Sequence, residues 1–188
     1  DSLVITQVIG PSFVTEFEIV KKLFTITMFT QFLIQPLWPA FSEALESKDY
    51  VWAKKTLIRA LIISISAGGL IALPLLIYGK QIILMWIGPT YVPKWSLLIG
   101  FYIFVLQANY GGVMSTFLNS GELVKKQLLI IGLASMSALL LKLILIEYYS
   151  ISGIIWATLI AYSIFYVIPS YKIAFNYING KIPHVTNT

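Results

Sequence analysis

Four apolar runs, Leu57 to Tyr78, Trp95 to Leu118, Val124 to Ile146 and Ile151 to Phe175, follow one another with short polar breaks between them. Each matches the roughly 20 residues that a helix needs to cross a bilayer, and no other feature so limits the folds open to the chain. Hydrocarbon offers no partner for backbone N–H and C=O groups, so such runs must satisfy themselves as helices. The composition agrees: 58% of the 188 residues are hydrophobic, 11% are charged, and the mean hydropathy is +0.84. These values predict an all-α polytopic transmembrane bundle with no sizeable soluble domain.

A fifth run, Leu23 to Phe41, lies in a helix expected over 13–41, with Ser12 or Thr15 as its cap. Pro36 and Pro39 remove amide donors near its end and predict a bend there. Val4 to Ile9 is too short to span; followed by Gly10-Pro11, it reads as the last part of a helix over 1–9. The chain opens at Asp1 without an initiator Met or a signal peptide and reads as a fragment. The expected spans are therefore 1–9 (partial), 13–41, 57–78, 95–118, 124–146 and 151–175, in one transmembrane unit over 1–188. The polar, mixed-charge stretch Ser42 to Thr56 is expected to lie at the membrane surface.

The absence of cysteine excludes disulfides and thiolate chemistry, and the single histidine, His184, sits in a polar tail. No enzyme activity and no cofactor are expected. Orientation follows from the cations, which are retained on the cytoplasmic side during insertion. Lys48, Lys54, Lys55, Arg59, Lys125, Lys126, Lys172 and Lys181 fall on one side, against Lys21, Lys22, Lys80 and Lys94 on the other. This places the C-terminus in the cytoplasm of a multi-pass protein of the cell (inner) membrane. The net charge of +5 is then matched to anionic membrane lipids, and no basic run points to nucleic acid.

With loops this short, functional groups must be sought on helix faces. Gly153, Ala157 and Ala161 form a small-residue row that admits a neighbouring backbone, while Thr158, Tyr162, Tyr166 and Ser170 carry hydroxyls down the other side. Ser64, Gly68 and Ala72 form a similar row, as do Ala134 and Ala138. Thr27, Gln31 and Gln35 make a polar stripe that either bonds to neighbouring helices or lines a water-filled cavity. Gln107 and Asn109 point to different sides of their helix, so at most one can face such a cavity. Lys142 lies inside an apolar run, where a lysine costs roughly 2.5–3.5 kcal/mol at a helix centre. It either snorkels, pairs with Glu147, or faces a cavity that attracts a phosphate. Arg59 and Lys55 have a surface role beside anionic lipids as the alternative to a role in a site. Trp52, Trp86, Trp95 and the Tyr148-Tyr149 pair read as interface anchors.

Several segments carry a family likeness: Asp1-Ser-Leu-Val-Ile-Thr-Gln-Val-Ile-Gly10, Pro36-Leu-Trp-Pro-Ala-Phe-Ser-Glu-Ala44, Lys48-Asp49 with Trp52, and Leu84-Met-Trp-Ile-Gly88. In this order and spacing they resemble the second half of polysaccharide biosynthesis proteins of the O-antigen flippase type, in the multidrug/oligosaccharidyl-lipid/polysaccharide exporter superfamily. The resemblance implies two six-helix lobes of MATE-like fold around an alternating-access cavity, this chain being most of the second lobe and the N-terminal lobe lying upstream. It implies an undecaprenyl-diphosphate-linked oligosaccharide as the substrate, flipped from the cytoplasmic to the outer leaflet. Helix faces then nominate Lys142 and Arg59 for the anionic group, and Gln31, Gln35, Asn109, Tyr162 and Tyr166 for the cavity wall. A multidrug antiporter of the same superfamily would want a buried carboxylate mid-span. A membrane polymerase or acyltransferase would want large polar loops.

Overall fold

The computed structural model describes residues 1–8, 10–89, 91–121 and 123–180; Lys181 and His184 lie outside the described residues. These residues are helical, with no strand among them: α1 (Ser2–Val8), α2 (Pro11–Thr25), a 3-10 segment (Ile26–Leu33), α3 (Leu37–Glu46), α4 (Tyr50–Ile87), α5 (Trp95–Ser120), α6 (Val124–Tyr149), α7 (Ile151–Tyr162), a π-helical turn (Ser163–Val167) and α8 (Ile168–Ile178). Four helices among the described residues are long and apolar enough to cross a membrane: 50–87, 95–120, 124–149 and 151–178. Their outward faces are oily, with Ile62, Ile63, Leu70, Leu128, Leu129 and Met136 all exposed, as suits contact with lipid.

The stretch expected as one span over 13–41 is instead three pieces. It starts at Pro11, whose missing N–H costs nothing at a first helical position, and neither Ser12 nor Thr15 caps it. The break comes at Ile26, well before the prolines. Thr27 Oγ1 donates to Phe24 O and Thr30 Oγ1 lies against Thr27 O, both at 2.7 Å. These hydroxyls reach the carbonyls three residues back and so accompany the tighter 3-10 winding of Ile26–Leu33, which is long for such a segment. Pro36 and Pro39 start a helix and do not bend one: Pro36 is the N-cap of α3 and Pro39 lies in its first turn, where amides have no intrahelical acceptor.

The surface linker expected over 42–56 is largely helical. Asp49 accepts from the Trp52 backbone amide at 3.0 Å and starts α4 seven residues before the apolar run begins. At its other end α4 continues past Tyr78 to Ile87, where Gly88 stops it.

Helices α6 and α7 form a tight hairpin. A Cβ on Gly153 would collide with the backbone carbonyl of Leu145, so only glycine permits this approach. Ala134 and Ala138 on α6, and Ala157 and Ala161 on α7, are buried beside it.

Two apolar clusters hold the bundle. Near the α4 start, Phe41 meets Phe117 edge-on at 5.3 Å, together with Leu57, Val113, Leu118 and Ala174. At the opposite end Phe17 and Phe24 pack on Phe101 at 5.3 and 5.8 Å, with Leu97, Ile151 and Ile154. Along α5 the first cluster uses Val113 to Leu118 and the second uses Leu97 to Val105. The turns between them hold Gln107, Asn109, Tyr110, Gly111 and Gly112. A polar layer thus crosses the bundle at the middle of α5.

Candidate functional site

The polar layer has two parts with different chemistry. In the first, Asn109 is buried where α4, α5 and the 3-10 segment meet. Its Nδ2 donates to Val105 O at 2.9 Å, and its Oδ1 accepts from Ser64 Oγ at 2.9 Å. Thr30 Oγ1 stands between Thr27 O and Asn109 Oδ1, 2.7 Å from each, with one proton to share between them. The amide fits because α4 presents Gly68 here; a Cβ at that position would collide with Asn109 Nδ2. Nearby, Gln31 Nε2 donates to Ala108 O at 3.2 Å.

In the second part, α5, α6 and α7 border a half-open cavity of about 510 Å³. Three of the residues nominated from sequence, Lys142, Tyr162 and Tyr166, share its wall. Gln107, Ser135 and Thr158 add polar atoms, while Phe104, Ile131 and Ala138 keep much of the lining apolar. Tyr162 Oη and Ser135 Oγ are 3.0 Å apart, joining α7 to α6. Gln107 Nε2 donates to Leu159 O at 3.3 Å and to Ser163 Oγ at 3.1 Å, at the start of the π turn. Tyr166 lies in that turn and donates to Gly111 O at 3.2 Å. The turn has a local cause: Pro169 lacks an N–H and its ring crowds the carbonyl four residues back, and the wider winding just before it, closed by Ile168 N donating to Ser163 O, absorbs both problems.

Lys142 neither reaches free solvent nor pairs with Glu147. Its Nζ donates to Asp1 Oδ1 at 2.5 Å, which ties α6 to the start of α1; the side chain of Lys142 is 15% exposed and that of Asp1 is 31% exposed. A half-buried ammonium is compensated here by one carboxylate at a cavity wall. Asp1 also borders a second, smaller cavity of about 160 Å³. That cavity shares Phe104, Ala108 and Thr158 with the first and adds Lys21, Gln31 and Asn109. Lys21 is held by Glu18 at 3.0 Å.

The structure therefore brings Lys142, Tyr162 and Tyr166 to one cavity, and Gln31 and Asn109 to its neighbour. Gln35 is exposed in the turn before α3 and borders neither. Arg59 is exposed on α4 and lies outside both. Gln107 lines the larger cavity, while Asn109, at the edge of the smaller one, has both ends of its amide engaged inside the bundle. Helix-face arithmetic separates these two side chains, but it does not say which side is hollow. Asp1 enters the sequence reading only as the head of the Asp1–Gly10 likeness and not as a partner of Lys142, and Ser135, one of two serines on α6, carries no signal of its own. Among the described residues, no cluster of His, Asp or Glu could hold a metal ion.

No family model matches this chain, and no curated protein or solved structure matches it significantly.

Proposed function

We propose that this chain forms one lobe of a transporter that flips an undecaprenyl-diphosphate-linked oligosaccharide from the cytoplasmic to the outer leaflet by alternating access. The fold would be the second lobe of a MATE-like exporter, in the inner membrane with a cytoplasmic C-terminus. A first lobe of the same protein would supply the other half of the pathway. The observation that carries this reading is the 510 Å³ cavity at the level of the polar layer, walled by one ammonium paired with a carboxylate, by hydroxyls, an amide and apolar side chains.

Such a lining suits a ligand with three chemistries. A diphosphate needs a cation, a sugar needs amide and hydroxyl partners and aromatic faces, and a polyprenyl chain needs an oily wall. Lys142 supplies the cation, and an incoming phosphate oxygen would replace the Asp1 carboxylate that now holds it. Gln107, Tyr162 and Tyr166 supply hydrogen-bonding groups beside ring faces, the two tyrosine centroids being 6.1 Å apart. The resemblance in the segments at 1–10, 36–52 and 84–88 supports the same substrate class.

The test is Lys142→Gln in the full-length protein in its host. The expected result is a large loss of surface polysaccharide at unchanged membrane protein level. Normal polysaccharide would remove Lys142 from the pathway and, with it, the anion-binding part of the reading.

A further inference from the structure

A separate cleft lies at the other end of the first apolar cluster, between the first turns of α4 and the end of α8. It holds about 540 Å³ and is lined by Lys54, Lys55 and Asn179 together with Val51, Ile58 and Ile178. From this arrangement we infer that the α4–α8 cleft binds an anionic phospholipid, its headgroup phosphate between Lys54 and Lys55 and its acyl chain against Ile58 and Ile62.

Position comes first. A 38-residue helix such as α4 is about 57 Å long, and even at a steep tilt of ~40° it covers roughly 44 Å, more than a hydrocarbon core of ~30 Å. Because its apolar run begins only at Leu57, after Lys54 and Lys55, its first turns stand at headgroup level, beside the end of α8. Charge comes next. Among the described residues, neither Lys54 nor Lys55 has a carboxylate within ion-pair distance, and the nearest acid in sequence, Asp49, is engaged with the Trp52 amide. Lys54 Nζ lies 6.0 Å from the centre of the Phe175 ring on α8, so the side chain reaches from α4 toward the other wall of the cleft. The positive end of the α4 dipole adds to the same field.

The walls then distinguish a lipid from a free anion. Val51 is 80% exposed, and Ile58 and Ile62 continue down α4 one and two turns below Lys54, with Ile62 61% exposed. Cations at the rim with aliphatic groups running inward match a phosphate carrying an acyl chain, and basic pockets between membrane helices recognise anionic headgroups in this way.

The experiment uses the purified full-length protein in detergent, titrated with phosphatidylglycerol or phosphatidylcholine, with bound lipid counted by native mass spectrometry. Retention of phosphatidylglycerol over phosphatidylcholine is expected. The double variant K54Q/K55Q should weaken the tightest binding by on the order of tenfold or more, and K125Q/K126Q, with the same charge change at the same end of the bundle, should leave it nearly unchanged. Equal losses in the two double variants would show a diffuse basic surface and overturn the site. Equal retention of the two lipids would remove its charge selectivity, and displacement by millimolar inorganic phosphate would assign the cleft to a free anion.

Discussion

Asn109 and Gln107 are two residues apart on α5 and carry the same functional group, yet their surroundings differ: one is buried beside the smaller cavity, the other stands on the wall of the larger. Asn109 ties a junction together at the edge of the smaller cavity: Ser64 and Thr30 close on its oxygen and Val105 accepts from its nitrogen. Gln107 stands on the wall of a cavity, reaching across to Leu159 and Ser163. The difference lies in what each faces. Opposite Asn109, α4 has no side chain at Gly68 and its backbone closes in. Beside Gln107, the side chains of Lys142, Ser135 and Tyr162 on α6 and α7 line open space instead. An amide in a membrane helix is thus glue or lining according to the bulk of its neighbours, and its own identity does not decide which.

This contrast can be broken most severely at Gly68. Gly68→Val places its first side-chain atom onto Asn109 Nδ2, and because that amide is already held on three sides the helices must part. A loss of about 2–3 kcal/mol is expected, read as a lower midpoint of thermal unfolding in detergent. Asn109→Leu should cost less, about 1 kcal/mol, since Thr30 keeps its bond to Thr27 O while Ser64 loses its partner on α5. Gln107→Leu sharpens the comparison from the other side. Its stability should change by no more than about 0.6 kcal/mol, the average for an interhelical bond of this type, while surface polysaccharide made by the full-length protein falls at normal protein level. If Gln107→Leu destabilised as much as Asn109→Leu, the two amides would both be glue, and the cavity would lose its distinction.

Much of the architecture is legible in residue order. The apolar runs after Leu57 lie within the four long helices, because continuous apolar sequence in hydrocarbon leaves the backbone no other state. The small-residue row at Gly153, Ala157 and Ala161 is buried against the neighbouring helix. Residues 13–41 were harder to read. Proline is the familiar breaker, so Pro36 and Pro39 drew the bend to themselves, whereas both sit where a helix begins and needs no donor. The break belongs to Thr27 and Thr30, and hydroxyls of this kind sit in many intact helices. The segment Pro39 to Trp52, part of the family likeness, has a plain structural task as well: Phe41 packs on Trp52 at 6.2 Å while Asp49 caps α4, which fixes the corner between α3 and α4.

The candidate site was legible residue by residue but not as a set. Lys142, Tyr162 and Tyr166 stand out because polar groups are costly in an apolar run. Their meeting depends on the α6–α7 hairpin and on Tyr166 lying within a π turn, neither of which a face count with one fixed period can represent. The partner of Lys142 could not be found from spacing at all, since Asp1 is 141 residues away in the chain.

That single wide coil before Pro169 sets the phase of everything after it. Were the same residues wound as regular α-helix, with none removed, the remainder of the helix would turn by about 100° about its own axis. Ser170, Ala174 and Tyr177, which now look inward, would swing toward lipid, and oily positions would take their place against α5. The wide coil thus takes up one residue that regular winding has no place for, and keeps the inward face of α8 in phase with that of α7.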